Sequence, residues 1–296
     1  MPTDRPNETP NPSGSARPAP TAVLAGCGDL GTRVAVRLAG DGYRVLGLRR
    51  HPDLLPATVE GQAVDLRTEQ PRLPSDTGVV VVALTADDRT ADAYRDTYVN
   101  GVENVLAAID RDVPGSPRVL LVSSTAVYRE GDGTLVDEHT PADPDTATGE
   151  QLRVAEQRLH EWRPDAIVLR LAGLYGPGPG RLVASVRDGT ATVHSRPVYT
   201  NRIHRDDAAA AIVHLTSRVA RPDPLYLGVD HEPAERGAVL RFIAAELGVA
   251  EPPVIDEQSA RGPGKRCDGR RLRASGFTFA YPTYREGYRI ACEGSR

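Results

Sequence analysis

Residues 26–31, Gly-Cys-Gly-Asp-Leu-Gly, set the narrowest limit on what this chain can fold into. They follow a short apolar run, 21–25, and open a helical pattern from about Leu30 to Ala39 with Leu30, Val34 and Leu38 on one stripe. Gly40 and Gly42 stop that helix, and "YRVLGL" then reads as a second strand. A G-x-G-x-x-G turn between a strand and a helix fits a dinucleotide. Gly26 permits the tight turn, Gly28 lets backbone approach a pyrophosphate, and Gly31 lets helix pack on strand. The helix N-terminus, at Cys27, Asp29 and Leu30, then offers N–H groups and a partial positive charge to phosphate.

The rest of the chain continues this alternation. Apolar runs at 63–65, 79–84, 118–124 and 166–171 are separated by helical patterns such as "YVNGVENVLAAI" at 98–109. Strands alternating with helices predict an α/β fold, a doubly wound parallel sheet of Rossmann type. After "LAGLYGPGPG" (171–180) the alternation breaks down. The expected division is a nucleotide-binding core over 21–174, with 199–230 returning to it, and a smaller irregular substrate-binding part over 175–198 and 231–296. Residues 1–20, rich in Pro and Ser, read as a disordered tail.

The cofactor can be narrowed further. An NAD site usually ends its second strand with a carboxylate for the ribose hydroxyls. Here residues 47–50 are Gly-Leu-Arg-Arg, and the next acid is Asp53. Arg49 and Arg50 can instead clamp a 2′-phosphate, so NADP(H) is expected, with NAD still possible. A pair of solvated surface arginines is the competing reading.

The order of "GCGDLG", "VDLR" (64–67), "YVNGVENVLAAI", "LLVSSTAVY" (120–128), "VDEHTP" (136–141), "LRLAGLYGPG" (169–178) and "IHRDDAAAAI" (203–212) resembles the extended short-chain dehydrogenase/reductase family, also called the NAD-dependent epimerase/dehydratase family. The resemblance spans about residues 21–230. It implies an oxidoreductase or epimerase acting on a polar small molecule such as a nucleotide sugar. It places Asp65 and Leu66 beside the adenine, Ala83, Leu84 and Thr85 beside a ribose, and Tyr175 and Gly176 on the nicotinamide and substrate side. Ser124 matches the family's catalytic Ser/Thr. Ser123, Ser124 and Thr125 could equally satisfy backbone groups at a strand end. Asp206 and Asp207 read as caps of the helix that follows.

One departure from the family is decisive. Its Tyr-x-x-x-Lys pair, aligned on Glu156, falls on Thr148 and Leu152, and no tyrosine lies between Tyr128 and Tyr175. The helix explains these residues structurally: Thr148 with Gln151 makes a capping box, and Leu152, Ala155, Leu159 and Trp162 form a buried stripe. The chain therefore resembles the atypical branch of the family. If it is an enzyme, Tyr128 is the first candidate for the missing acid and His204 the second; the alternative is a non-catalytic protein that senses NAD(P).

Charge and composition exclude other classes. A net charge of −4 with mixed signs points to no nucleic-acid or membrane partner. No apolar run approaches a membrane span. Cys27, Cys267 and Cys292 show no CxxC spacing and read as reduced thiols of a cytoplasmic protein. The seven histidines include no HxxxH or HExxH pair, so no metal is expected. A homodimer is compatible with the family resemblance.

Overall fold

The computed structural model of the protein describes residues 20–129, 131–177, 180–256 and 262–294. The expected disordered tail, apart from Pro20, lies outside the described residues, as do Gly178 and Pro179 of the "YGPGPG" loop.

In chain order the elements are β1 (Thr21–Ala25), α1 (Asp29–Gly40), β2 (Arg44–Arg49), β3 (Glu60–Ala63), β4 (Thr77–Val82), α2 (Ala91–Tyr94), α3 (Gly101–Asp112), β5 (Arg118–Ser124), β6 (Asp132–Val136) and α4 (Ala147–Trp162). They continue with β7 (Ile167–Leu171), β8 (Gly173–Tyr175), α5 (Arg181–Arg187), β9 (Val193–His194), β10 (Tyr199–Thr200), β11 (Arg202–His204) and α6 (Arg205–Val213). The last are β12 (Leu225–Gly228), β13 (Ala234–Glu235), α7 (Arg236–Leu247), β14 (Val254–Ile255), β15 (Gly264–Cys267), α8 (Arg270–Ala274) and α9 (Tyr284–Glu293). Arg95–Asn100 is a π-helical turn that joins α2 to α3.

Seven strands form one parallel sheet in the order β12-β7-β5-β4-β1-β2-β3. The apolar runs explain it. β1, β4 and β7 are buried nearly throughout, as strands covered on both faces must be. One face packs Val34, Ala35 and Leu38 of α1 with Ala208, Ile212 and Val213 of α6. The other packs Val102, Val105, Leu106 and Ile109 of α3 with Ala155 and Leu159 of α4. Strand order reverses between β1 and β4, and at that switch point the carboxyl ends of the strands open a crevice.

A second core joins α5, α7 and α9 around Tyr175, Val183, Leu240, Ile243, Tyr284 and Tyr288. The chain after residue 231 does not stay there. Leu272, Phe277 and Phe279 return to the core shared by α1 and α6. Asp207 draws this return in, because its buried carboxylate accepts the Ala280 and Tyr281 N–H groups, both at 2.9 Å.

Three expectations about helix ends are corrected. The N-cap of α4 is Thr146, whose hydroxyl accepts from Gly149 N–H at 3.0 Å; Thr148 lies in the first turn, and no capping box forms there. Trp162 stands 42% exposed at the end of α4, outside the buried stripe, and donates its indole N–H to Asp110. The cap of α6 is His204, which accepts from Asp206 N–H, while Asp206 itself binds Arg33 and Arg37 of α1. Accordingly, Thr146→Ala should cost about 0.5–2 kcal/mol in urea unfolding. Thr148→Ala should stay within roughly 0.5 kcal/mol, as an ordinary surface substitution does.

Candidate cofactor and substrate site

The glycine turn is built as its residue types require. Gly26 has φ +84°, and a Cβ there would stand 2.6 Å from the Ala83 carbonyl oxygen. A Cβ at Gly31 would stand 2.8 Å from the Gly26 oxygen, so this glycine permits α1 to close on the turn. At Gly28 a Cβ would meet no protein atom within 4 Å; the position opens into the crevice. That is the room a pyrophosphate needs above a helix N-terminus, and the turn fits a dinucleotide.

Two cavities meet over this turn. One is lined by Gly26, Gly28, Arg49, Arg50, Asp65, Leu66, Arg67, Ala83, Leu84, Thr85 and Asp87. The other runs from Gly28, Asp29, Leu30 and Gly31 past Ala83, Leu84 and Thr85 to Tyr98, Ser124 and Leu152. They share Gly28, Ala83, Leu84 and Thr85, so they form one trough across the ends of β1, β2, β4 and β5. Most residues expected at a cofactor line it. Cys27 does not: its side chain turns inward against Gly47, and burial pushes the thiol pKa up. Tyr175 does not either. Its ring stacks on Tyr288 at 4.8 Å, its hydroxyl donates to the Thr283 carbonyl, and it lines a separate cavity toward the C-terminal helices.

At the β2 end the arginines are held. Arg49 donates to the Cys27 carbonyl at 3.1 Å, which ties β2 to the glycine turn. Arg50 presents its fork to Asp87 with two bonds of 2.8 and 2.9 Å. Arg67, which the sequence did not single out, bridges Asp65 and Asp87. Hydrogen bonds from these guanidiniums hold the Asp65 and Asp87 carboxyls below their ordinary range. Arg50 and Arg67 thus face two carboxylates, and the fork of Arg50 is already set for a bidentate anion.

At the β5 end, alternate side chains point to opposite sides of the strand. Ser124 faces the trough, and its hydroxyl accepts from Ala126 N–H at 3.1 Å. Ser123 faces α4 and donates to buried Glu156 at 2.5 Å. Glu156 also accepts from Arg170 through two nitrogens, at 3.0 and 2.6 Å, while a third Arg170 nitrogen donates to the Tyr128 hydroxyl at 2.6 Å. The Tyr128 hydroxyl in turn donates to the Asp137 carbonyl.

Tyr128, expected as the substitute acid, is therefore a core residue. It is 2% exposed, lines neither cavity of the trough, and has its hydroxyl committed on both sides. Burial pushes its pKa up to about 12 despite Arg170. The chain turns through a tight 3-10 turn at Thr125–Val127, which carries Tyr128 away from Ser124. His204, the second candidate, is stacked on Tyr281 at 3.7 Å, spends Nδ1 on its own helix, and is pushed by burial down to about 4. The phenol that does line the trough is Tyr98, in the π-helical turn, pushed up to about 12 by burial. No catalytic motif in the sequence marked it; it stands in a π turn, and such turns occur frequently at functional sites.

The positions of the family's Tyr and Lys hold no substitute. Leu152 is 4% exposed and closes the trough with an apolar wall. Among the described residues, no group of three or more His, Cys, Asp or Glu stands together as metal ligands, and no helix is long and apolar enough to cross a membrane. The three cysteines form no disulfide.

A parallel sheet ordered about a switch point, with a glycine turn opening beneath it, defines a dinucleotide-binding Rossmann protein. The sequence pattern of the NAD dependent epimerase/dehydratase family matches residues 22–227, and the chain belongs to that family. Protein YeeZ of Escherichia coli strain K12 is 31% identical over 272 residues, covering 88% of this chain and 96% of YeeZ. A solved structure from Methylobacillus flagellatus is 31% identical, superposes with a TM-score of 0.75, and covers 95% of this chain and 100% of its own. The human epimerase family protein SDR39U1, solved with NADPH, shares the fold at 17% identity and a TM-score of 0.76, covering 92% of this chain and 99% of its own.

Proposed function

We propose that the chain is an NADP(H)-dependent oxidoreductase or epimerase of a polar small molecule, working without the family's Tyr-Lys pair. The observation that carries the cofactor choice is the end of β2, where Arg49 and Arg50 line the trough and no carboxylate takes the place that selects NAD. Gly26, Gly28 and Gly31, with the start of α1, hold the pyrophosphate. Arg50, and Arg67 beside it, meet the 2′-phosphate. Asp65 and Leu66 flank the adenine, and Ala83 to Thr85 flank a ribose. NADPH bound to the human relative of the same fold supports this reading. When bound, the cofactor supplies or accepts hydride. Ser124, at the reacting end, supplies a hydroxyl to a substrate oxygen and holds it in place.

The closed Asp87–Arg50 contact gives this a specific test. A 2′-phosphate must replace Asp87 on the Arg50 fork. Asp87→Ala should therefore raise NADPH affinity several-fold in a fluorescence titration and change NADH affinity much less. Equal changes for both would remove Arg50 from the 2′-phosphate.

A sensing protein is the second reading, favoured by the absence of a phenol at Thr148 and of an amine at Leu152. Absorbance at the reduced nicotinamide band, followed over a panel of carbonyl compounds, separates the two. The enzyme consumes NADPH with at least one of them, and the sensor with none.

A further inference from the structure

The chain has 36 lysines and arginines together, and Lys265 is the only lysine. The difference is chemical. A guanidinium keeps its proton in a protein, whereas an ammonium can give one up and take it back. Lysine is also among the side chains least often buried. Lys265 is 7% exposed, and it lies in β15, far along the chain from every motif of the site.

The fold carries it there by a built route. β15 pairs in parallel with β6. Asn201 pins it from the other side: its amide donates to the Lys265 carbonyl at 2.9 Å and accepts from Cys267 N–H at 2.8 Å. Gly264 just before it has φ +74° and lies so close to β10 that a Cβ would stand 2.4 Å from the Tyr199 oxygen. Only glycine allows β15 that approach. The Lys265 ammonium then donates to the Tyr128 carbonyl oxygen at 2.8 Å, and among the described residues no carboxylate pairs with it.

Lys265 lines a cavity that also holds Ser124, Thr125, Ala126, Asn201 and Arg236. Ser124 belongs to this cavity and to the cofactor trough alike, so it stands where the two join. Lys265 and Arg236 bring two cations to the cavity, and no Asp or Glu is among its described lining residues. In a chain of net charge −4 this is a local reversal of sign. It favours an anionic ligand.

We propose that this cavity takes a small anionic carbonyl or alcohol compound, with Arg236 on its anionic group and Lys265 as a catalytic residue at its reacting oxygen. The inference rests on the reading of the trough as an NADP(H) site. In the reducing direction, hydride from a reduced nicotinamide dinucleotide adds to the carbonyl carbon. The C=O π pair moves onto oxygen, and oxygen takes a proton from Nζ. The products are an alcohol, an oxidised dinucleotide and a neutral amine that solvent reprotonates. The oxidising direction is the reverse. The ammonium thus comes from β15 and not from α4, where the family's lysine position is filled by Leu152.

A sole lysine makes the test direct. The full-length protein is treated with pyridoxal 5′-phosphate or with pyridoxal, reduced with borohydride, and mapped by peptide mass. The phosphate-bearing aldehyde is expected to label Lys265 at least tenfold faster than pyridoxal. Arg236→Ala should erase that preference, and Lys265→Gln, which keeps a neutral N–H donor toward the Tyr128 carbonyl, should lose the label. Equal rates with the two aldehydes, or label confined to the N-terminal amine, overturn the anionic pocket. NADPH oxidation is then followed with phosphorylated and carboxylated aldehydes and ketones. Lys265→Arg keeps the charge but cannot pass the proton, and should lose about 10²–10⁴-fold in turnover with NADPH affinity unchanged. Turnover retained by Lys265→Arg, or none by the wild type on the whole panel, overturns the catalytic role. Failure of the wild type to bind NADPH would instead remove the trough reading beneath it, and the labelling result would still stand alone.

Discussion

Gly28→Val should abolish NADPH binding and leave the fold intact. A Cβ at this position meets no protein atom within 4 Å, and its φ of −82° is not left-handed, although its ψ of −149° falls at the edge of the extended range. The valine Cβ therefore meets no clash in the folded chain. It stands in the crevice over the start of α1, where the pyrophosphate and its hydrogen bonds would lie. Charge-assisted hydrogen bonds are worth about 1.5–3 kcal/mol each. Losing two of them lowers affinity by roughly a hundredfold to over ten-thousandfold at about 1.4 kcal/mol per tenfold. Gly26→Val would be no such test, because the left-handed φ and the Ala83 carbonyl would strain the fold itself. An unchanged melting temperature with no measurable NADPH binding is the expected pair of results for Gly28→Val. Unchanged affinity would mean that the glycine turn serves another purpose.

The largest effect on stability should come from Glu156→Leu. The Glu156 and Arg170 side chains are each 7% exposed, and Arg170 spends two nitrogens on this carboxylate. Removing the carboxylate leaves a guanidinium buried among Tyr128, Ser123 and apolar neighbours. Breaking a buried pair from one side costs about 3–5 kcal/mol, because the remaining charge is neither solvated nor paired. Replacing both, as in Glu156→Leu with Arg170→Met, should recover much of the loss. Chemical unfolding of the two single variants and the double variant measures this. Purely additive losses would show that the pair is not coupled as the geometry indicates.

What was legible in the sequence follows from how local each signal was. β1, the glycine turn and α1 are contiguous, and their residue types answer to one another over about 20 positions, so strand, turn and helix were readable together. β5 was readable to its ends because the apolar run Val119–Val122 is opened by Arg118 and closed by two serines. Helix ends were less so. Thr146 and Thr148 both suit an N-cap, and only the backbone geometry shows which one accepts from the third residue on. Trp162 has the spacing of the buried stripe, but α4 ends there and the stripe runs out into solvent.

The candidate site was legible where it is made of strand ends and illegible where it is made of distant partners. Tyr128 looked close to Ser124 because it lies only four positions on, yet the intervening 3-10 turn and Arg170 take its hydroxyl into the core. Glu156 served only as an alignment anchor, and nothing in α4 revealed that Ser123 and Arg170 would converge on it. Lys265 reaches its cavity through pairings with β6 and Asn201, 64 or more residues away, and no local pattern encodes such an approach.

Whether the β2 arginines make this an NADP(H) site is tested most directly by calorimetric titration of the unmodified chain with NADPH and with NADH. The 2′-phosphate adds a charge-assisted contact worth about 1.5–3 kcal/mol, so NADPH should bind roughly tenfold to a hundredfold more tightly. Equal affinities, or tighter binding of NADH, would contradict it.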